Sequence, residues 1–451
     1  LDIRDMVIVS SLGYAVGLGN ILRFPYIGYT NGGGTFLIPY FIALFTAGIP
    51  LMILEFSLGH WTRGSPPEAF RKISKKWEWV GWWATITPFI VATFYVVIIG
   101  WSFSYLIYSF DIRWGHQAAA FFAQYIGDTG TPLQLGGINL PVLLSLIVVW
   151  YSIFLILYKG VKGIGRAVSF LVPMPMIILI ILTIRGLTLP GAMEGISYYL
   201  TPDFSKLLNP TIWLSAYAQV FFTLSLAVGV MITYASHLKK QSDINNNAFI
   251  ISLANAGTSF FAGFAVFSVL GYLAVSNGTT MQNIQGITGP ALTFITYPTA
   301  IAELPYAPFF GIIFYIALIS FGITSAFSMI EPINDTLNHR WNISKAKTTG
   351  IMCFFGFFVS LLFATGGGQY ILDIVNNFIA NFGMITIGIL ECILIGWGYN
   401  IIRLRKHANK TSDFSIGIWW EYIIKYVLPI ILVILLIFSA VSYQKPTNYP
   451  W

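Results

Sequence analysis

Ser11-Leu12-Gly13-Tyr14-Ala15-Val16-Gly17-Leu18-Gly19-Asn20 is the stretch that decides the fold. It sits inside an apolar run, 6–27, long enough to cross a bilayer, yet three glycines fall within seven residues near its middle. Each glycine costs a helix interior about 1 kcal/mol relative to alanine. A weaker counterpart lies further along, Thr223-Leu224-Ser225-Leu226-Ala227-Val228-Gly229, with Gln219 one turn earlier. Taken singly, either stretch fits close helix packing through small residues. Taken together they occupy corresponding places, the first and sixth of the apolar runs. Paired interruptions of that kind are a sequence pointer to a transporter's binding site. Unwound backbone is tolerated at membrane depth only where it lines a cavity or is buried in protein.

Working outward, runs of about 20 mostly apolar residues mark membrane spans. Eleven such runs occur, at 6–27, 33–58, 80–111, 139–158, 164–186, 211–237, 244–274, 305–337, 346–364, 370–401 and 416–443. The first is no signal peptide, since it is too long, contains Arg23 and lacks a small-residue cleavage site. The chain opens on Leu1, so a longer N-terminus is expected. Its composition agrees: 56% of the 451 residues are hydrophobic and 9% charged, against roughly 25% charged in soluble domains. That excludes a soluble enzyme and a disordered chain. The net charge of +7 is a topology signal and does not indicate nucleic-acid binding. Most of the 24 basic residues fall in alternate loops: Arg63, Arg71, Lys72, Lys75 and Lys76; Lys159, Lys162 and Arg166; Lys239 and Lys240; Arg340, Lys345 and Lys347; Arg403, Arg405, Lys406 and Lys410. Positive loops face the cytoplasm, so the N-terminus is expected inside and the C-terminus outside.

The intramembrane polar residues are neutral oxygen donors suited to a hard monovalent cation. Asn20 follows the first interruption, Asn255, Thr258 and Ser259 lie in the seventh run, and Thr324 and Ser325 in the eighth. No Cys/His cluster or carboxylate cage for a divalent metal appears. Cys353 and Cys392 make no disulfide framework.

Gly13-Tyr14-Ala15-Val16-Gly17-Leu18-Gly19-Asn20-Ile21-Leu22-Arg23-Phe24-Pro25 and Asn31-Gly32-Gly33-Gly34-Thr35-Phe36-Leu37-Ile38-Pro39-Tyr40 resemble the neurotransmitter:sodium symporters. Gly48-Ile49-Pro50-Leu51 with Glu55, Gln219-Val220-Phe221-Phe222-Thr223-Leu224-Ser225 and Ala262-Gly263-Phe264 extend the likeness over about residues 4–443. The resemblance implies an all-α polytopic membrane protein with the LeuT fold: a 5+5 inverted repeat, broken helices 1 and 6, and eleven transmembrane helices. Residues 1–186 would form the first repeat, 211–401 the inverted second, and 416–443 an extra helix.

Further implications of the resemblance are residue-specific. A first sodium would be held by the Ala15 carbonyl, Asn20, Thr223 and Asn255, with the substrate carboxylate completing its shell. A second would use the Gly13, Val16 and Phe321 carbonyls with Thr324 and Ser325. The substrate would lie among Ala15, Gly17, Gly19, Val91, Tyr95, Phe222, Thr223, Ser225, Val228, Ser325 and Met329. Monoamine members place an aspartate where this chain has Gly17, so a substrate that brings its own carboxylate, a neutral amino acid, is expected; a hydrophobic or aromatic one suits Val228. Tyr40, Gln219, Thr223, Asn255 and Ser259 match the pattern of chloride-dependent members, though the same donors also suit ordinary interhelical hydrogen bonding.

Departures from the family pattern concern the gates. The outer gate's arginine is Arg23, but the position of its usual aspartate reads Asn376, with Asp373 one turn earlier; either a bond to Asn376 or a water bridge to Asp373 is expected. At the inner gate a tyrosine is replaced by His237 and an aspartate by His339, with Asp335 one turn away. Glu55 resembles a glutamate that braces the unwound part of span six and is read as scaffold; Glu331 and Glu391 are read as buried braces. Gly163 and Pro173 resemble a motif that lets span five unwind.

The expected activity is sodium-coupled uptake of a neutral amino acid by alternating access across the cell membrane, with two sodium ions and chloride as a candidate third ion. A non-transporting amino-acid sensor on the same fold would carry the same binding residues. An ion channel would need a filter of repeated polar residues, which is absent. An intramembrane enzyme would need a nucleophile–base pair, and His60, His116, His237, His339 and His407 all lie at loops or span ends.

Overall fold

The computed structural model describes residues 17–284 and 289–441. Among these residues the chain is all-helical. Among the described residues nine helices are long and apolar enough to cross a membrane: Gly34–Thr62, Lys75–Tyr108, Leu140–Leu157, Gly163–Leu187, Ile244–Ser276, Ala307–Trp341, Lys345–Phe363, Gly368–Gly398 and Ile418–Val441. They coincide with nine of the eleven apolar runs. The other two are the runs in which the sequence predicts interruptions. The described part of the first is a π-helical turn, Gly19–Arg23, continued by the α-helix Phe24–Thr30. Gly13, Ala15 and Val16 lie outside the described residues.

The sixth run is two helices, Pro210–Leu224 and Val230–Ser236. Between them Ser225, Ala227 and Gly229 all have positive φ, at 52°, 59° and 66°. A side chain makes that region costly by about 1–2 kcal/mol per residue, so something outside the segment must hold it. Leu226 N–H donates to the Phe221 carbonyl at 3.0 Å, and Ala227 N–H donates to Glu55 Oε1 at 2.7 Å. Gly229 has a second constraint: a Cβ there would sit 2.6 Å from Pro66 Cγ.

The Ala307–Trp341 helix packs along Lys75–Tyr108, and Val230–Ser236 packs on Ile49–Thr62. Span five is continuous in path but changes helix just before Pro173: Val161–Leu171 gives way to Pro173–Leu187. Proline lacks the N–H and clashes with the preceding turn, so the Gly163/Pro173 segment ends where chemistry requires.

Short helices Pro66–Ile73, Ala118–Ile126, Ala192–Leu200 and Ile401–Asn409 fill stretches that hydropathy leaves as loops. They are too short to register as apolar runs. The five basic loops meet at one end of the bundle. Arg63 donates to the Ser236 carbonyl at 3.3 Å and also to the Leu238 carbonyl. Arg340 pairs with Glu78 at 3.7 Å. Asn245 bonds Asn409 at 3.0 Å, and the Lys345 side chain lies beside Gly160.

Candidate functional site

Asn20 is buried where the first helix meets the seventh. Its Oδ1 accepts from Gly17 N–H at 2.9 Å. Its Nδ2 donates to the Asn255 carbonyl at 3.0 Å and to Ser259 Oγ at 2.8 Å. Thr223, in the last turn before the break in span six, donates from Oγ1 to Asn255 Oδ1 at 3.2 Å, and Asn255 Nδ2 returns a bond to the Thr223 carbonyl at 3.1 Å. Three helices thus converge Asn20, Thr223 and Asn255 on one point. The π-helical turn at Gly19–Arg23 positions Asn20, and such turns often mark functional sites.

A second group of residues gathers around Gly17. Tyr95 OH accepts from Leu18 N–H at 3.0 Å. A Cβ on Gly17 would fall 2.0 Å from Ser325 Oγ and 3.5 Å from Tyr95 OH. Gly19 faces the Phe222 ring, with Thr223 Oγ1 4.0 Å from its would-be Cβ. Val91, Ser225, Val228 and Met329 are buried, and Phe222 is half-buried. Val91 and Tyr95 lie one turn apart on span three, as do Ser325 and Met329 on span eight, so each pair shares a helix face. Thr324 Oγ1 and Ser325 Oγ both donate to the Phe321 carbonyl, at 2.9 and 3.1 Å. The three remaining expected ligands, Gly13, Ala15 and Val16, lie outside the described residues.

With this geometry in place, comparison with known proteins decides the family. The model of the sodium:neurotransmitter symporter family matches residues 3–126 and 116–451. The chain belongs to the sodium:neurotransmitter symporter family. It is a multi-span, sodium-dependent transporter and not an enzyme. It is similar to an uncharacterized sodium-dependent transporter of Methanocaldococcus jannaschii, 43% identical over 96% of this chain and 88% of that one. It is also similar to the human sodium- and chloride-dependent creatine transporter 1, 30% identical over 98% of this chain and 78% of that one. The human sodium- and chloride-dependent GABA transporter 2 is 29% identical over 98% and 81%.

For a member of this family, the surroundings of Arg23 are informative. Its guanidinium donates to Gln219 Oε1 at 2.6 Å and lies 4.4 Å from the Phe222 ring centroid. Gln219 Nε2 in turn donates to the Gly19 carbonyl at 3.2 Å. Among the described residues no carboxylate is within ion-pair distance of Arg23. The direct partner is therefore Gln219, neither Asn376 nor Asp373. Asp373 is exposed on Gly368–Phe378, beside Gly289. Gln219, expected beside an anion, is used here to tie Arg23 to span one. Tyr40 OH is buried beside Ser259.

At the opposite end the two substituted histidines flank one acid. His237 Nε2 is 3.6 Å and His339 Nδ1 3.8 Å from Asp335 Oδ2, and His339 reaches Glu68 at 4.0 Å. The structure also assembles a clamp that hydropathy and motif spacing missed. His60 Nδ1 is 2.9 Å from His407 Nε2, and His60 Nε2 is 2.9 Å from both the Lys239 carbonyl and Arg63. His60, Lys239 and His407 are far apart in sequence, and only their common place at span ends hinted at it.

Proposed function

We propose that this chain is a symporter carrying a neutral amino acid into the cell with two sodium ions, by alternating access. The observation that carries the reading is the convergence of Asn20, Thr223 and Asn255 beside the non-helical segment 225–229. These are neutral oxygens at membrane depth, matched to an alkali cation, at the place where helix ends free their backbone groups. Together with the Ala15 carbonyl they make the first sodium site, and the substrate carboxylate completes it. Phe321, Thr324 and Ser325, with the Gly13 and Val16 carbonyls, make the second.

The substrate lies against Gly17, Gly19, Tyr95, Phe222 and Ser325, with Tyr95 OH and Leu18 N–H near its carboxylate. A buried carboxylate is tolerable when paired with a cation, and the crowding at Gly17 leaves no room there for a protein acid. Creatine and GABA, which the two human relatives' names print, are likewise small molecules with a carboxylate. Val91, Phe222, Val228 and Met329 give an apolar lining suited to a hydrophobic or aromatic side chain. Arg23 on Phe222 covers the site from outside.

In this reading the nine long helices and the two interrupted ones make eleven spans. Residues 1–186 and 211–401 are inverted repeats and 416–443 an extra helix. The clustered basic loops face the cytoplasm, so the N-terminus is inside and the C-terminus outside. Chloride is held near Tyr40, Gln219, Thr223, Asn255 and Ser259; the buried Tyr40 hydroxyl beside Ser259 supports it, as do the names of the two human relatives.

A 100 mV potential contributes about 2.3 kcal/mol per charge, and a tenfold gradient about 1.4 kcal/mol per ion. Two sodium ions supply about 7 kcal/mol, or roughly five decades of substrate accumulation. An entering chloride removes about 2.3 kcal/mol of the electrical part. The test is a thermal-shift screen of the common amino acids with and without sodium, followed by uptake of the hit into liposomes. Stabilisation that requires sodium, and accumulation that requires an inward sodium gradient, are expected. A hit that binds equally well in potassium buffer would refute the coupling, and sodium-dependent binding without accumulation would point to a sensor.

A further inference from the structure

Two carboxyl groups inside the bundle carry oxygens that no described residue satisfies. Glu55 gives Oε1 to Ala227 N–H, while its Oε2 is buried and unbonded. Glu391, on Met384–Ile393, is fully buried, and neither of its oxygens has a hydrogen-bond partner among the described residues. A brace makes bonds, so Glu391 is not the brace that its sequence position suggests. The two groups are close enough for their charges to act on each other. Gly388, one turn before Glu391, would place a Cβ 3.6 Å from that of Ala227, which puts this helix against the same segment.

Among the described residues no basic group pairs with either acid. Cys392 is the other titratable side chain that feels both acids. On the neighbouring span Ile418–Val441, Glu421 pairs with Arg405 and Lys425 sits over Trp397. Further along span two, His60 is engaged with His407. Two carboxylates sharing a low-dielectric site cannot both ionise while the site stays dry and its N–H groups stay engaged elsewhere. An unpaired buried ion costs several kcal/mol. A protonated carboxyl gains an O–H donor, and one O–H directed at the other carboxyl occupies two unsatisfied oxygens at once. A divalent cation fits less well, because it seeks about six or more oxygens and the pair offers three unbonded ones.

We propose that Glu55 and Glu391 form a buried proton-binding site whose occupancy is linked to the unwound segment through the Ala227 N–H bond. Release transfers the proton from the carboxyl to water and leaves a second carboxylate. That charge then has to be met by entering water or by backbone N–H groups of the segment. Proton exchange therefore accompanies rearrangement of residues 225–229, and transport responds to pH through this pair.

Infrared spectroscopy of the purified protein in liposomes tests binding without any transport. A protonated-carboxyl stretch near neutral pH is expected, and it is lost in Glu391→Gln. Glu55→Gln provides the same readout should the first variant fail to fold. Absence of the band, or its survival in a folded variant, overturns the site. The second arm measures sodium-driven uptake against pH. Glu391→Gln is expected to retain uptake and its sodium dependence but lose a pH dependence present in the wild type. An unchanged pH profile in the variant overturns the link to the segment.

Discussion

Replacing Asn20 by alanine tests the core of the site. The Asn20 carboxamide is 1% exposed and makes three bonds, from Gly17 N–H and to the Asn255 carbonyl and Ser259 Oγ. In Asn20→Ala the Gly17 N–H loses its acceptor, and leaving a buried donor unpaired costs about 1–3 kcal/mol. Melting temperature should therefore fall with or without sodium. A purely structural asparagine would show that and nothing more. If Asn20 Oδ1 turns to sodium when the ion binds, the variant also loses an interaction with a charge, worth about 1.5–3 kcal/mol. That corresponds to a rise of about ten- to 150-fold in half-saturating sodium. The assay is uptake into proteoliposomes across a sodium series, paired with the sodium-induced shift in melting temperature. A folded variant whose half-saturating sodium stays within about twofold of the wild type, with the sodium-induced shift intact, would refute the assignment.

Gly229→Ala places a Cβ 2.6 Å from Pro66 Cγ at a φ of 66°; strain and overlap together should lower stability by more than about 1 kcal/mol, and an unchanged melting temperature would contradict the geometry of the break. Tyr40→Phe removes a buried hydroxyl beside Ser259, so it should weaken chloride stimulation of uptake; uptake indifferent to chloride removal in the wild type would remove the anion site altogether. His407, outside the spans, is held below its ordinary pKa of 6.5 by burial and then by the charges of Arg63 and Lys410. A histidine whose folded pKa is depressed stabilises the fold above the unfolded value, and that contribution is lost as pH falls from 6.5 towards the folded value. Melting temperature should fall on acidification through that window, and His407→Gln should flatten the slope; equal slopes in the two proteins would refute it.

The sequence by itself determined the membrane class, nine of the spans and the basic loops that meet at one end of the bundle, and it marks span one with glycines. Those are sums over neighbouring residues: hydropathy and charge act along the chain, and a glycine cluster weakens a helix wherever it stands. The break in span six was only half legible, because Gly229 signals it but Ser225 and Ala227 do not. Ala227 takes its left-handed conformation where Glu55, on another helix, holds its N–H. The choice of Gln219 as Arg23's partner was decided the same way, since Gln219 on span six comes within 2.6 Å of the guanidinium and Asn376 on span ten does not. The unbonded oxygens of Glu391 and the joining of His60 to His407 likewise depend on how each helix is rotated and at what depth it crosses its neighbours. Those quantities are set by packing between segments far apart in sequence, and no local pattern encodes them.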